Sequence, residues 1–265
     1  KDFNWNVSAT YSRNRSEIVR VDDRVNEFGA PMDDTANGWY IGYPKDAVRE
    51  YVFDGIWQLT DDKDGDGLVD FTYDSDGDGI PDMALMKDAE VGSIKIKDMN
   101  GDGIITEDDK VITANEPSWI GSLSTSLNFK GFDFFADFYT VQGLIKSNPY
   151  LSSVKLRGKS RTMKLNYWTP ENPSNEFPRP VYDNDPPYAG LTSWQDASYI
   201  RLRTLTVGYT LPKKFTNKFM VDRLRFYFTG SNLLTITDFK SYSPERNANS
   251  YPESRQYLFG LNLDF

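Results

Sequence analysis

Apolar and polar residues alternate along much of this chain. In residues 2–12, aromatic and aliphatic side chains occupy every second position, and mostly Asn, Ser and Thr lie between them. The same alternation recurs in five further segments: 118–129, 132–142, 198–211, 222–234 and 255–265. A period of two predicts strands with one apolar face, and the two-residue connection Lys130-Gly131 predicts a hairpin. A weaker strand is predicted over 46–57 and no long segment has helical periodicity, so we expect an all-β, antiparallel fold.

The length of these strands indicates their environment. They run about 10–14 residues, whereas strands of soluble proteins usually run about 5–6 and strands that cross an outer membrane need about 9–11. One apolar face and one polar face suit a transmembrane β-barrel with lipid outside and a polar lumen, although the inner faces of a soluble β-sandwich alternate as well. The chain ends on Phe265, in an aromatic-rich alternating strand, as bacterial barrel proteins do, and this favours the barrel.

The connections between the predicted strands differ in length. Lys130-Gly131 and 212–221 are short or moderate, and three connections are long: 58–117, 143–197 and 235–254. Short periplasmic turns and long extracellular loops are typical of outer-membrane barrels. Counting seven strands back from a periplasmic C-terminus places the three long loops outside the cell. The same count places 13–42 on the periplasmic side, where we expect either a hidden strand pair around Glu17–Val25 or an inward fold.

The predicted organisation has three parts. Residues 1–57 hold barrel strands with a periplasmic-side excursion, 58–117 form an acidic extracellular loop, and 118–265 hold the C-terminal barrel strands. The charge is concentrated in one segment, because 61–109 holds 16 Asp/Glu and 4 Lys, a net charge of −12, while the whole chain carries −9. The remainder therefore carries +3 and shows no basic patch. Nucleic acid is not an expected partner, since nothing is placed to neutralise phosphates.

The composition excludes several kinds of chemistry. Cys and His are absent, which excludes thiolate nucleophiles, His-based triads and zinc held by Cys or His. No apolar run reaches the roughly 18 residues of a transmembrane helix. Carboxylates are abundant, but they follow a calcium-binding spacing on Gly-rich turns and do not stand singly in a pocket. The sequence therefore predicts that the chain is not an enzyme.

The acidic segment repeats one pattern three times, beginning at Asp62, Asp74 and Asp98. Ca²⁺ takes about six to eight oxygen ligands, which positions 1, 3, 5, 7, 9 and 12 of such a loop supply around a sharp Gly turn. The third copy resembles dockerin-type loops and the first two resemble the repeats of thrombospondin type 3. We expect calcium that stiffens the loop; solvated, metal-free turns are the alternative. The predicted ligands are Asp62, Asp64, Asp66, Asp70, Asp74, Asp76, Asp78, Asp82, Asp98, Asn100, Asp102, the Ile104 carbonyl and Asp109.

Several stretches resemble the late strands and loops of SusC/RagA-type, TonB-dependent outer-membrane transporters. They are the hairpin Trp119–Gln142 and the sequences YVFDGIWQ (51–58), IKIKDMNGDGIITEDDKVI (94–112), ASYIRLRTLTVGYTLP (197–212), LRFYFTGSNLLTIT (224–237) and YLFGLNLDF (257–265). Independent stretches agree in the order that the family has. The resemblance covers most of the chain and places it at roughly the C-terminal quarter of such a transporter.

The resemblance implies a fold, a location and partners. The fold would be the C-terminal part of a roughly 22-stranded barrel in the bacterial outer membrane, in contact with lipid, with a plug outside this chain. The function would be TonB-driven uptake of glycans or peptides together with a SusD-like surface lipoprotein, with the TonB complex acting through a part outside this chain. The alternative is a secreted, calcium-binding β-sandwich that serves as an adhesin or structural surface protein.

Charged and aromatic side chains outside the acidic segment carry further predictions. Arg201 and Arg203 alternate in phase with Leu205 and Val207, which places them at the outer end of the apolar face. There they could meet lipopolysaccharide phosphates, but we expect them to snorkel or to form an ion pair with a loop. Aromatic residues of the long loops, such as Trp168, are expected to anchor the loops rather than contact a substrate. The opposite, polar face is predicted to hold Asp133, Asp137, Arg223 and Arg225.

Overall fold

The computed structural model describes residues 3–70, 89–151, 164–181, 186–247 and 250–265. Within these residues there are twelve strands: β1 (Phe3–Ser12), β2 (Val48–Glu50), β3 (Phe53–Ile56), β4 (Ile94–Ile96), β5 (Val111–Thr113), β6 (Trp119–Phe129), β7 (Phe132–Gln142), β8 (Ile145–Ser147), β9 (Trp194–Asp196), β10 (Tyr199–Thr210), β11 (Arg223–Thr237) and β12 (Gln256–Asp264). One short helix and five 3-10 turns complete the described elements: Lys213–Thr216, then Leu59–Asp61, Glu107–Asp109, Pro149–Leu151, Ala189–Ser193 and Asn217–Phe219. None of the described helices is long and apolar enough to cross a membrane.

Six long strands form one antiparallel sheet in the order β1-β6-β7-β10-β11-β12. Each corresponds to one of the six strongly alternating segments, so those strand predictions are confirmed. The predicted hairpin joins β6 and β7, and Phe129 pairs with Phe132 next to its turn. The chain divides into two compact units, and this sheet lies in the first: residues 1–15, 116–145 and 196–265.

The predicted strand 46–57 does not belong to this sheet. It forms β2 and β3, which pair with β5 and β4 in separate two-stranded sheets. The alternation in this segment is short and is interrupted at Gly55, whose φ is 109°. β1 instead pairs directly with β6, from Phe3↔Phe129 to Ser12↔Ile120. The prediction of a seventh barrel strand is therefore wrong. β1 and β6, the strands before and after the connection 13–118, are neighbours in the sheet.

Because the sheet has six strands and not seven, the ends of the sheet from which the connections leave also differ from the prediction. Because neighbouring strands are antiparallel, the connections 13–118, 143–198 and 238–255 all leave the same end of the sheet. Those over 130–131 and 211–222 leave the opposite end. The periplasmic-side excursion expected for 13–42 followed from counting seven strands, and the six-stranded count removes the need for it. Residues 13–42 contain no strand of the sheet and only isolated bridges such as Ile18↔Ile41.

The register gives the sheet one apolar and one polar face. One row across all six strands holds Trp5, Leu127, Phe134, Val207, Phe228 and Phe259. A row on the other face holds Asn4, Asn128, Asp133, Gly208, Tyr227 and Gly260. Side chains of the apolar face are not covered by the chain itself, since Trp5 is 61% exposed and Phe259 79%. A continuous exposed apolar face of this kind needs an apolar environment.

A β-bulge moves two arginines from the apolar to the polar face. Leu202 pairs with Phe138 but Thr204 pairs with Asp137, so Arg203 is an extra residue relative to β7. Arg201 consequently shares a face with Tyr139, its partner on β7. The prediction that Arg201 and Arg203 lie on the apolar face is therefore wrong, because an inserted residue reverses the alternation on one side of it.

Two glycines of the polar face allow large side chains to lie flat on the sheet. A Cβ at Gly208 would lie 2.5 Å from both carboxylate oxygens of Asp133 and 2.7 Å from Nη2 of Arg225. A Cβ at Gly260 would lie 2.2 Å from the Tyr227 ring. Arg225 therefore reaches across Gly208 to Asp133, and its Nε and Nη2 donate to Oδ1 at 2.9 Å and to Oδ2 at 2.6 Å.

Gly208→Ala is expected to lower the stability of the purified protein by about 1–3 kcal/mol, because the added methyl group must displace the Asp133–Arg225 pair. Gly190→Ala is the matched control, since nothing lies within 4 Å of a Cβ at Gly190. The midpoint of denaturant unfolding in detergent measures both changes. Equal midpoints for the two variants would contradict the proposed crowding at Gly208.

The second unit consists of residues 16–115 and 146–195. Its core is built from both segments, and the fully or nearly buried members are Tyr51, Ile56, Trp57, Val69, Val91, Ile94, Ile96, Ile105, Trp168 and Leu191. Trp168 joins the later segment to the earlier one, because its indole N–H donates to Oε1 of Gln58 at 2.9 Å. The expectation that loop aromatics anchor the loops holds for this residue, which is 4% exposed.

Candidate functional site

The first acidic loop folds around the carboxylate of Asp62. The backbone N–H groups of Gly65 and Gly67 donate to its two oxygens at 2.7 and 3.0 Å. Asp70 closes the loop by accepting from the N–H groups of Lys63 and Asp64. Gly65 and Gly67 have φ values of 84° and 91°, which L side chains rarely adopt, so the sequence needs glycine at both positions.

The carboxylates of the first loop converge. One oxygen each from Asp62, Asp64 and Asp70 lies within 4.8 Å of the others. Asp66, the fourth predicted ligand of this copy, accepts from the N–H of Leu68 at 2.8 Å. The structure therefore brings together three of the four predicted ligands of the first copy. The second copy, Asp74, Asp76, Asp78 and Asp82, lies outside the described residues.

The third acidic loop repeats the hydrogen bonds of the first at equivalent positions. Asp98 accepts from Gly101 and Gly103 at 2.6 and 2.8 Å, as Asp62 does from Gly65 and Gly67. Further along, the side chain of Asn100 accepts from the N–H of Asp102, and that of Asp102 accepts from the N–H of Ile104. The two loops are thus one local structure formed twice, as their common spacing predicts.

The two loops differ in the carboxylate that closes them. In the third loop this is Asp109, at position 12, which accepts from the N–H groups of Met99 at 2.8 Å and Thr106 at 2.7 Å. Asp109 is 0% exposed. In the first loop the closing carboxylate is Asp70, at position 9. The N–H at position 2, Lys63 or Met99, donates to the closing residue in both loops.

Both loops are attached to the core of the second unit through the residue at position 8. This residue is Val69 in the first loop and Ile105 in the third, and both belong to the same buried cluster. The N–H of Val69 also donates to the carbonyl of Ala89 at 2.9 Å. Each loop therefore contributes one side chain to this core.

Neighbouring charges adjust the pKa values around the third loop. Burial acts to raise the pKa of Asp98, but the hydrogen bonds from Gly103 and Gly101 outweigh it and hold that pKa below its usual value. The hydrogen bond from Lys110, at 2.8 Å, lowers the pKa of Glu107. Burial, together with the charge of Glu107, raises the pKa of Tyr51 to about 12. Asp98 and Glu107 are therefore ionised and Tyr51 is protonated at neutral pH.

The oxygen atoms that these loops could offer as metal ligands suit a hard divalent cation. Every side-chain donor that the prediction names is a carboxylate or amide oxygen, and Ca²⁺ takes such ligands in flexible geometry. The loops lack the His and Cys that zinc or copper prefer, because the chain contains neither. Asn100 and the Ile104 carbonyl belong to the third loop, which supplies oxygens at positions 1, 3, 5, 7 and 12.

The polar face of the long sheet forms a second group of charged residues, at the end with the long connections. Arg201 is 4% exposed and donates from Nη2 to Glu253 at 3.3 Å and from Nε to Oγ1 of Thr235 at 3.1 Å. Its Nη1 donates to Glu245. Burial acts to raise the pKa of Glu253, but hydrogen bonds from Ser243 and Arg246 outweigh it and hold that pKa below its usual value.

Sequence reasoning named an ion pair with a loop as one expectation for Arg201, but it missed the face on which the pair lies and its carboxylate partners. The alternation assigned Arg201 to the wrong face, and nothing in the spacing of Glu245 and Glu253 connects them to a strand more than 40 residues away. Arg225 and Asp133 lie on the polar face as predicted. A bulge leaves no signal in a periodic pattern except a run of polar residues, such as Arg203-Thr204, where alternation requires one apolar residue.

No protein-family model matches the chain, but individual proteins do. The chain is 29% identical over its whole length to TonB-dependent receptor P3 of Formosa agariphila. It is 25% identical, over 63% of its length, to TonB-dependent receptor SusC of Bacteroides thetaiotaomicron. A structure of the RagAB peptide transporter matches the whole chain with a TM-score of 0.64 and 26% identity. The chain spans 27% of the length of the Formosa receptor, 17% of SusC and 28% of the RagAB chain.

Long antiparallel strands with one exposed apolar face, joined by long connections at one end only, define the class of transmembrane β-barrel proteins. The matched relatives are named as receptors and transporters, which agrees with the prediction that the chain is not an enzyme. The chain is similar to SusC/RagA-type TonB-dependent receptors, and it matches their C-terminal portion, about 27% of the length of the Formosa receptor.

Proposed function

We propose that the whole protein imports a nutrient across the outer membrane and that this chain supplies six strands of its barrel wall. The observation that carries the proposal is the register of the long sheet. Complete rows across six strands are apolar on one face and polar on the other, as lipid on one side and a polar lumen on the other require. Lipid against the apolar face would also cover the apolar side chains that the chain itself leaves exposed.

Peptides are the substrate class that we propose. The RagAB structures that match the whole chain are described as a peptide transporter and a peptide importer. Glycans, the other class implied by the sequence resemblance, have no comparable support. The two-protein RagAB assembly and the SusC relative also support a SusD-like surface lipoprotein as partner. The TonB complex would act through parts of the protein outside this chain.

The orientation that we propose places all three long connections, including the acidic loops, outside the cell. They leave one end of the sheet, and the connections at the other end are shorter. Outer-membrane barrels have their long loops on the extracellular side. The acidic loops would then face the medium, where calcium is available.

Uptake measurements test the proposed function. Host cells with and without the receptor are given a labelled peptide mixture or a labelled oligosaccharide mixture. We expect peptide uptake to depend on the receptor and on TonB, and oligosaccharide uptake to depend on neither. Receptor-dependent uptake of oligosaccharides alone would overturn the peptide assignment. Extraction from membranes by buffer without detergent would instead favour the secreted β-sandwich.

We further propose that the first and third acidic loops bind Ca²⁺ and that the ion stiffens the second unit. The support is the convergence of Asp62, Asp64 and Asp70, together with the equivalent bonding of the loop that Asp109 closes. Because Val69 and Ile105 lie in one core, an ion in either loop would restrain the same set of buried residues. This role is structural and assigns no catalytic step to the metal.

Removal of calcium is expected to increase proteolytic cleavage within 61–109. At a calcium concentration about ten times Kd, one bound ion favours the folded loop by about tenfold, so we expect chelation to accelerate cleavage by about that factor. Asp98→Asn is expected to reproduce the effect in calcium, and Asp46→Asn, an exposed aspartate outside the loops, is the matched control. If neither the chelator nor Asp98→Asn changes the cleavage rate, calcium binding is contradicted.

A further inference from the structure

Three arginines on the polar face of the long sheet each lie over a tyrosine ring. The distances from the guanidinium carbon to the ring centroid are 5.2 Å for Arg201 over Tyr199, 4.4 Å for Arg203 over Tyr139 and 4.8 Å for Arg225 over Tyr227. Such stacking holds a guanidinium in one orientation and leaves its N–H groups available at the edge. The three sites therefore share a geometry and differ in what their N–H groups bind.

Two of the three arginines bind carboxylates of the chain, and the third does not. Arg201 binds Glu245 and Glu253, and Arg225 binds Asp133. Among the described residues, no carboxylate lies within 4.0 Å of a nitrogen of Arg203. Arg203 is also exposed, whereas Arg201 is buried. Among the described residues, the ring contact with Tyr139 is thus the one side-chain interaction of Arg203.

The position of Arg203 depends on irregularities in two neighbouring strands. It is the extra residue of β10 relative to β7, between Leu202 and Thr204. On the other side, β11 has its own irregularity, and Asn232 takes a φ of 54°. Without the bulge, Arg203 would lie on the apolar face, so the irregular pairing serves to place a cation on the polar face. Bulges that re-aim a side chain are frequent next to binding sites.

A carboxylate on the neighbouring strand also leaves Arg203 without an ion pair. Asp137 on β7 pairs in register with Thr204, next to Arg203, yet the two form no ion pair. A cation held beside an anion that it does not bind is arranged for an external group. The negative charge of Asp137 would disfavour a dianion such as phosphate more than a single carboxylate, and a peptide carries one carboxylate at its C-terminus together with positive charge elsewhere.

We propose that Arg203, held over Tyr139, binds the terminal carboxylate of a peptide substrate at the polar face of β10. This assignment rests on the proposed import of peptides. A guanidinium matches a carboxylate through two parallel N–H···O bonds, a recognition that lysine cannot reproduce. Arg203 lies four residues from Tyr199, where its strand begins at the long-connection end, at a level that a ligand entering from that end meets early.

Peptide binding to the whole receptor with its partner lipoprotein tests the assignment. The probe is a synthetic peptide mixture without Asp or Glu, prepared once with free C-terminal carboxylates and once as carboxamides. We expect the wild type to bind the free acids about tenfold or more tightly than the amides, as charged hydrogen bonds of this kind predict. Arg203→Gln is expected to weaken binding of the free acids alone and to abolish the preference.

Further variants separate recognition from a change in structure. Tyr139→Phe keeps the ring and should keep the preference, and Arg203→Lys keeps the charge but should lose most of the preference. Arg255→Gln removes an exposed arginine outside the strands and should bind both forms as the wild type does. Equal weakening of both forms in Arg203→Gln would overturn the assignment, because it would indicate a structural role.

The outcomes for the wild type distinguish this inference from the proposed function. If the wild type binds free acids and amides equally, the carboxylate site is overturned and peptide import stands. If it binds neither form, peptide import is overturned, and the assignment of Arg203 with it. A preference that persists in Arg203→Gln would show that another residue recognises the carboxylate.

Discussion

Trp168→Ala is expected to destabilise the second unit by about 3–5 kcal/mol, the usual cost of truncating a buried tryptophan. The side chain is 4% exposed and lies in the core that both segments of this unit share. Its indole N–H donates to Gln58, which the substitution leaves without that donor. The ring also fits closely against Gly92, where a Cβ would lie 2.5 Å from it. Truncation therefore leaves a cavity that a rigid backbone cannot fill.

Proteolysis of the folded receptor as a function of urea measures this effect. The matched control is Tyr167→Ala, because Tyr167 is the preceding residue and is 44% exposed. We expect Trp168→Ala to be cleaved within 16–115 and 146–195 at urea concentrations that leave Tyr167→Ala intact. Identical cleavage profiles for the two variants would mean that Trp168 does not join the two segments.

Arg201→Gln is expected to cost about 1.5–3 kcal/mol, the usual loss for a hydrogen bond to a charged group, because Glu253 loses its buried cationic partner and keeps Ser243 and Arg246. The side chain of Arg201 is 5% exposed and that of Glu253 13%, so both are shielded from water. Glu245, at 46%, remains solvated and adds less. The consequence falls on residues 238–255, which Arg201 fastens to β10.

The test for Arg201 compares cleavage within 238–255 in several variants. Arg203→Gln is the matched control, because it lies two residues away on the same strand and binds no carboxylate among the described residues. Arg201→Gln combined with Glu253→Gln should lose less protection than the sum of the two single variants, since the interaction between the two residues can be lost only once. If cleavage in Arg201→Gln equals that in Arg203→Gln, the pair does not hold this segment.

The strands of the long sheet were predictable because their alternation is long. Over ten or more residues, a period of two has no helical alternative, and all six predicted strands agree with the structure to within a few residues. The segment 46–57 also alternates, but its residues find partners in a local core through β3 and β4. Periodicity identifies an extended segment and does not identify its neighbour.

The faces of the sheet were predictable only up to the bulge. Alternation assigns each residue of a strand to a face only until one residue is inserted. In β10 the assignment was therefore correct from Thr204 onward and reversed on the N-terminal side of the bulge, at Arg201. The acidic loops behaved differently, because their hydrogen bonds join residues two to five positions apart. The common spacing of the two loops is therefore sufficient to give Asp62 and Asp98 equivalent bonds. It did not anticipate the complete burial of Asp109, which depends on distant parts of the chain.

The direct pairing of β1 with β6 has a consequence for folding and for variation in chain length. Trp5 donates to Thr125 at 2.9 Å across 120 positions of sequence, whereas β6 and β7 are joined by two residues. The hairpin can therefore form early, and β1 is added only after a long loop has closed. Loop-closure entropy grows logarithmically, by about 0.6 kcal/mol for each doubling of length. Residues 13–118 are thus where insertions and deletions cost the sheet least, and related receptors can diverge there while they keep the same wall.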